Sequence, residues 1–168
     1  VNAAQSEFLR MVVPAAQYGQ RKFGVPASVT IAQAILESGW GKSKLATDYL
    51  NFFGIKPGAH AAPDSYVEMP TTEFIDGQPR HVLAPFVRYP NAPLCFGAHA
   101  RLLSCAPRYA SAMAVRNDPV AFAQRLQACG YSTNPRYAAQ LEELMRDYDL
   151  TQYDLTPLPP AQAEQAAA

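Results

Sequence analysis

The sequence predicts an α+β fold that is mainly α, with a small β-lobe set between two helical parts. Three observations carry this. Apolar residues recur at helical spacing in the first 50 residues and again after residue 92. Between residues 56 and 89 the texture changes to short stretches punctuated by Pro, Gly and Asp, with Asp76-Gly77 as a hairpin signal. The 168 residues, 49% apolar and 17% charged, suit one globular domain with a sizeable core and exclude a disordered chain.

Taken in order, Phe8, Met11, Val12, Ala15, Ala16 and Phe23 predict a helix over 5–24, which Pro14 should kink or interrupt. Gly24-Val25-Pro26 breaks the chain. A second helix starts at Pro26 or Ser28, because Pro suits a first turn and Ser a cap, and runs to Ser38 before Gly39 and Gly41. A short helix over Lys42–Tyr49 leads to Asn51-Phe52-Phe53-Gly54-Ile55. The β-lobe, 56–89, is read from Ser65–Met69, Thr71–Ile75 and His81–Leu83. Helices return at Pro93–Ser104, Pro119–Ala128 and, after a turn at Gly130–Asn134, Pro135–Tyr148. Tyr137, Ala138, Leu141, Leu144 and Met145 share one side of the last. The tail, 156–168, has no bulky apolar residue after Leu158, so the domain is placed at 1–155 and the tail is expected to be a flexible extension or linker.

Fourteen basic and fourteen acidic residues leave zero net charge, which argues against nucleic-acid binding by bulk charge and against a polybasic membrane anchor. No apolar run approaches the length of a membrane-spanning helix, and no basic-then-apolar leader opens the chain. The chain is expected to be either cytoplasmic at first or a mature or excised piece, and its start at Val1 favours the latter. Cys95, Cys105 and Cys129 lack CxxC spacing, and His60, His81 and His99 complete no zinc signature. The cysteines are buried small hydrophobes, or one pair is a disulfide.

The helix over Val29–Glu37 is apolar around nearly its whole circumference and is expected to be central. Its exception is a stripe of Thr30, Gln33 and Glu37 at i, i+3, i+7. A carboxyl at the last turn of a buried helix faces the wrong end of the helix dipole and is costly to desolvate. Both effects favour the neutral acid, as a general acid requires. The competing reading is a salt bridge from Glu37 to Lys42 or Lys44, or a side chain in water. Trp40, the single tryptophan, is either an aromatic wall beside that carboxyl or a core residue.

The run AILESGWGKSKLATDYLNFFGIK, residues 34–56, resembles the signature of the peptidoglycan-cleaving N-acetylglucosaminidases of glycoside hydrolase family 73. TTEF followed by Asp76-Gly77 resembles that family's β-lobe hairpin, and GYSTNPRYAAQL, residues 130–141, its C-terminal GYATDPxYAxKL element. The resemblance spans residues 6–150. It implies a lysozyme-like helical lobe and β-lobe flanking a cleft. It implies hydrolysis of the β-1,4 bond after N-acetylglucosamine in peptidoglycan, in the periplasm, the cell wall or outside the cell. By this match Glu37 is the general acid and Glu73 the second carboxylate. Trp40, Asn51, Phe52, Tyr131 and Tyr137 line or shape the cleft, as does Gly54. No metal or organic cofactor is implied; the partner is a glycan strand, with no nucleic acid, no membrane insertion and a monomeric state expected. Two departures stand out. Tyr89–Phe96 lacks the family's usual acidic positions, and Asn134 stands where Asp is usual. The alternatives are a lytic transglycosylase or muramidase acting on the same polymer, and a non-catalytic glycan-binding module.

Overall fold

The computed structural model describes residues 1–75 and 78–156. Helix α1 spans Ala3–Phe23 and α2 spans Ala27–Ser38; a short α3, Lys44–Tyr49, follows. Strands β1, Tyr66–Ile75, and β2, Gln78–Val87, form an antiparallel hairpin. Then come α4, Ala92–Cys105, α5, Ala110–Met113, α6, Pro119–Ala128, and α7, Tyr137–Asp147, with a closing 3-10 turn at Leu150–Tyr153.

Local chemistry accounts for most of these boundaries. Asn2 and Gln5 form a capping box at the start of α1, and Gly24 closes it at φ 74°. Pro14 does not interrupt α1: it and Arg10, whose carbonyl loses a helical partner, are both exposed, so the freed carbonyl lies on a solvent-facing side of the helix rather than in the core. Asn91 accepts from the Leu94 N–H at 3.0 Å and starts α4, so that helix forms without the family's acidic residues. Asp118 caps α6 in the same manner. The last helix starts later than expected, at Tyr137, after the Asn134 side chain has accepted from the Arg136 N–H.

Helix α2 lies at the centre, against α1, α6, α7 and the closing turn. Its residues from Ala27 to Ile35 are all buried. Each fully buried Val or Ile there contributes ~1.5–3 kcal/mol, so the helix is held by its surroundings rather than by propensity. Helix α1 packs on α4 closely enough that a Cβ on Gly19 would meet the Ala100 Cβ at 3.1 Å. Cys95 is buried, Cys129 half-buried and Cys105 exposed, and all three are free, which removes the disulfide alternative.

The β-lobe is simpler than expected. Ser65–Met69 and Thr71–Ile75 belong mostly to one strand that runs through Pro70. A two-stranded sheet has two open edges, so a proline can direct its missing N–H outward. The pairing runs from Tyr66 with Val87 to Ile75 with Gln78. The expected turn residues Asp76 and Gly77 lie outside the described residues, as does the expected tail from 157 onward. Among the described residues, the chain packs back as far as Leu155, whose N–H donates to Gln20 Oε1 at 2.9 Å.

Candidate active site

The site begins where α2 ends. Gly39, Trp40 and Gly41 have φ of 58°, 62° and 72°, three successive residues in the left-handed region. Ser38 stabilises this turn by donating to the Ala34 carbonyl and accepting from the Gly41 N–H. A side chain at Gly41 would lie 2.8 Å from the Phe8 ring, so glycine is required there by space as well as by φ. Trp40 lacks glycine's freedom and is held by packing. Its ring meets Phe8 at 5.6 Å and Tyr148 at 4.7 Å, both edge-on. Thus Trp40 is drawn towards α1 and the C-terminal end of α7, whereas Glu37 is bonded to the residue that starts α7.

Glu37, one turn before this corner, is exposed, so its carboxyl can be reached from solvent. The protein around it nevertheless desolvates the charge and raises its pKa, opposed by a hydrogen bond from the Tyr137 hydroxyl at 3.3 Å. Among the described residues, no ion pair joins it to Lys42 or Lys44. The stripe expected to accompany it divides. Thr30 turns back to its own helix, donating to the Pro26 carbonyl at 3.1 Å. Gln33 is fully buried; its Nε2 donates to Tyr137 Oη at 2.9 Å, and its Oε1 lies 2.9 Å from His99 Nε2.

Tyr131 and Tyr137 come to the same place. Their rings stack at 5.4 Å, and burial followed by the nearby carboxylate raises the pKa of Tyr131. Tyr137 is raised as well, chiefly by burial, then by Tyr131 and Glu37. Both therefore remain phenols, able to donate, at any pH where a carboxyl acts as an acid.

Asn51 and Phe52 act from below the surface. Asn51 is buried and donates to the Ile55 and Val87 carbonyls at 2.9 and 3.0 Å. It also accepts from the N–H groups of Phe53 and Ile55. With these four bonds its amide has no capacity left for a sugar; it ties the loop after α3 to the root of the hairpin. Val87 N–H to Ile55 and Tyr89 N–H to Tyr49, both 2.9 Å, reinforce that joint. Phe52 is a core residue against Phe8 and Phe96. Gly54 stands at the same joint with φ 64°. Glu73 lies near the far end of β1, its backbone paired with Arg80, and the expectation for its side chain falls outside the described residues.

His99 is the residue that sequence reasoning passed over, weighing it only as a zinc ligand. Its ring stacks on Phe53 at 3.9 Å and 7°, and burial lowers its pKa to about 3. A histidine on an apolar stretch of α4 carries no signal for this role until α4 is packed beside α2.

A family model for glucosaminidases, described as mannosyl-glycoprotein endo-beta-N-acetylglucosaminidase, matches residues 13–150. The chain belongs to the glucosaminidase family. This glucosaminidase domain is 34% identical to the peptidoglycan hydrolase FlgJ of Pseudomonas aeruginosa, over 86% of the chain and 37% of that protein. It is 34% identical to the exo-glucosaminidase LytG of Bacillus subtilis, over 89% of the chain and 54% of that protein. The chain thus spans about half or less of the curated relatives' lengths. Among solved structures, the catalytic domain of the Listeria monocytogenes autolysin Auto superposes with a TM-score of 0.81 at 31% identity, covering 92% of this chain and 89% of that one. The glycoside hydrolase domain of Salmonella typhimurium FlgJ gives 0.71 at 30% identity, covering 88% and 90%. The expected mainly helical, lysozyme-like fold with a small hairpin holds for this glucosaminidase domain.

Proposed function

We propose that this domain hydrolyses the β-1,4 glycosidic bond after N-acetylglucosamine in peptidoglycan, with Glu37 as the general acid. One observation carries the reading. Glu37 is a solvent-reachable carboxyl whose pKa the surrounding protein raises, with a phenol bonded to it and, among the described residues, no cation in an ion pair with it. Such a group holds a proton into the pH range where the leaving oxygen needs one, and the Tyr137 hydroxyl is placed to stabilise the carboxylate that remains. Relatives named peptidoglycan hydrolase and exo-glucosaminidase support the polymer and the bond. Glu73 is the second carboxylate in this scheme, acting as base, nucleophile or stabiliser; participation by the substrate's N-acetyl group would leave it a lesser part. The domain works where peptidoglycan is, in the periplasm, the cell wall or outside the cell. No described helix is long and apolar enough to cross a membrane.

Mass spectrometry of muropeptides after digestion tests the reaction. New reducing ends on N-acetylglucosamine are expected. A relative from Lactococcus lactis is named a probable N-acetylmuramidase, and N-acetylmuramic acid ends would move this domain to that reading. Anhydro-muramyl ends would make it a lytic transglycosylase. Glu37→Gln should keep the fold and lose ~10²–10⁴-fold in rate; substantial residual turnover would remove Glu37 as the acid.

A further inference from the structure

We infer that Gln33 and His99 are positioning residues that fix the direction of hydrogen bonding at Glu37, so that the Tyr137 hydroxyl is committed as a donor to its carboxylate. The inference rests on the reading of Glu37 as the acid. Four side chains from three helices form one chain: His99 Nε2 to Gln33 Oε1 at 2.9 Å, Gln33 Nε2 to Tyr137 Oη at 2.9 Å, and Tyr137 Oη to Glu37 Oε1 at 3.3 Å. An amide has one accepting and one donating end. With Nε2 of Gln33 donating to the phenol oxygen, its Oε1 must receive a hydrogen, which only an Nε2–H tautomer of His99 supplies. The phenol oxygen is then occupied as an acceptor, and its hydrogen is free for Glu37. A reversed amide would draw the Tyr137 hydrogen towards Gln33 and leave the carboxylate without its donor.

The chain is built to keep one direction. Gln33 and His99 are 0% and 1% exposed, so water cannot replace either partner. The His99 ring is fixed by Phe53 stacked on one face and by Tyr131 edge-on at 6.0 Å. Its lowered pKa keeps it neutral across the working range. Among the described residues, the titratable groups facing Glu37 are Tyr137 from α7 and Tyr131 from the turn before it, and Lys42 and Lys44, which follow it in sequence, make no ion pair with it. A donor aimed at the carboxylate stabilises the charged form, and a chain of bonds polarises that donor.

The test compares Gln33→Met, His99→Phe and His99→Gln with wild type. The first removes the middle of the chain at similar volume. The second keeps the stacking ring but loses the N–H, and the third restores an N–H donor. Two readouts are taken: the carbon-13 titration of the Glu37 carboxyl, assigned by its loss in Glu37→Gln, and the pH dependence of kcat/KM on peptidoglycan. Gln33→Met and His99→Phe should raise the Glu37 midpoint by about one pH unit and move the alkaline limb equally, with His99→Gln at the wild-type position. An unmoved midpoint in Gln33→Met, with only the melting temperature lowered, would overturn the inference, and so would a His99→Gln midpoint displaced as far as that of His99→Phe. If His99→Phe does not fold, Gln33→Met decides alone. Midpoints that move in a protein without glycan turnover support the chain and sink the acid assignment. An active enzyme killed by Glu37→Gln, with unmoved midpoints, does the reverse.

Discussion

Asp154→Ala should lower the melting temperature by several degrees, while Asp154→Asn should leave it near wild type. Helix α2 follows Pro26, which has no side-chain oxygen, so its first N–H groups need an acceptor from elsewhere. Asp154, far away in sequence, provides it: its carboxylate takes the Ser28 N–H at 2.8 Å and the Ser28 hydroxyl at 2.6 Å. A lost helix cap costs ~0.5–2 kcal/mol, and a lost bond to a charged group ~1.5–3 kcal/mol. Burial of the carboxylate offsets part of this, because desolvation raises its pKa against the pull of the Ser28 bonds. A net loss of about 2 kcal/mol corresponds to ~4–8 °C for a chain of this size. Asparagine retains an acceptor for the N–H and carries no charge to desolvate. The sign of the pH dependence follows from the raised pKa. The folded chain binds this proton more tightly than the unfolded chain, so wild type loses stability relative to Asp154→Asn as pH rises from the ordinary aspartate range through the raised value, and recovers it as pH falls. Thermal unfolding of the three proteins over a pH series measures both effects. An alanine variant that melts with wild type would refute the capping argument; so would an asparagine variant as unstable as the alanine one.

Glu73→Gln should cut turnover on a scale similar to Glu37→Gln if that carboxylate is base or nucleophile; near-normal rates would assign its part to the substrate's N-acetyl group. Trp40→Ala should cost ~3 kcal/mol through lost contacts with Phe8 and Tyr148, leaving the pH profile of the folded enzyme in place. A shifted alkaline limb would restore Trp40 to the wall of the acid. Asn51→Ala removes four hydrogen bonds at the hairpin root and should raise amide exchange in β2 near Val87 more than in α6, a difference measurable by hydrogen exchange. Truncation after Leu155 should leave the melting temperature unchanged, whereas truncation after Tyr153 should cost more than Asp154→Ala, because it also removes the Leu155 bonds to Gln20.

The sequence by itself determined the helical texture and the place of the hairpin, and it singled out Glu37. These depend on short-range rules: apolar spacing in α2, glycines where φ must be positive, and a lone carboxyl on an otherwise apolar helix. The family motifs added Tyr131 and Tyr137, which the fold brings to Glu37. Local rules also misjudged particular residues. Pro14 is a breaker in isolation, yet it is tolerated on an exposed helix face, where the freed carbonyl is not buried. Ser28 has the chemistry of a cap, yet it serves as the donor to Asp154, a partner 126 residues away.

Tertiary structure alone decided which polar side chains meet. Asn51 and Phe52 share a motif with Glu37 but spend their side chains on the hairpin root and the core. Trp40, three residues from Glu37, packs its ring on Phe8 and Tyr148 from a left-handed corner. Gln33 was visible as a polar residue on a buried face, but its partner was not. His99 lies 66 residues further on, on a helix whose sequence shows only apolar spacing. A buried hydrogen bond is specified by the donor and acceptor that packing places within 3 Å of each other, and sequence separation carries no information about that distance.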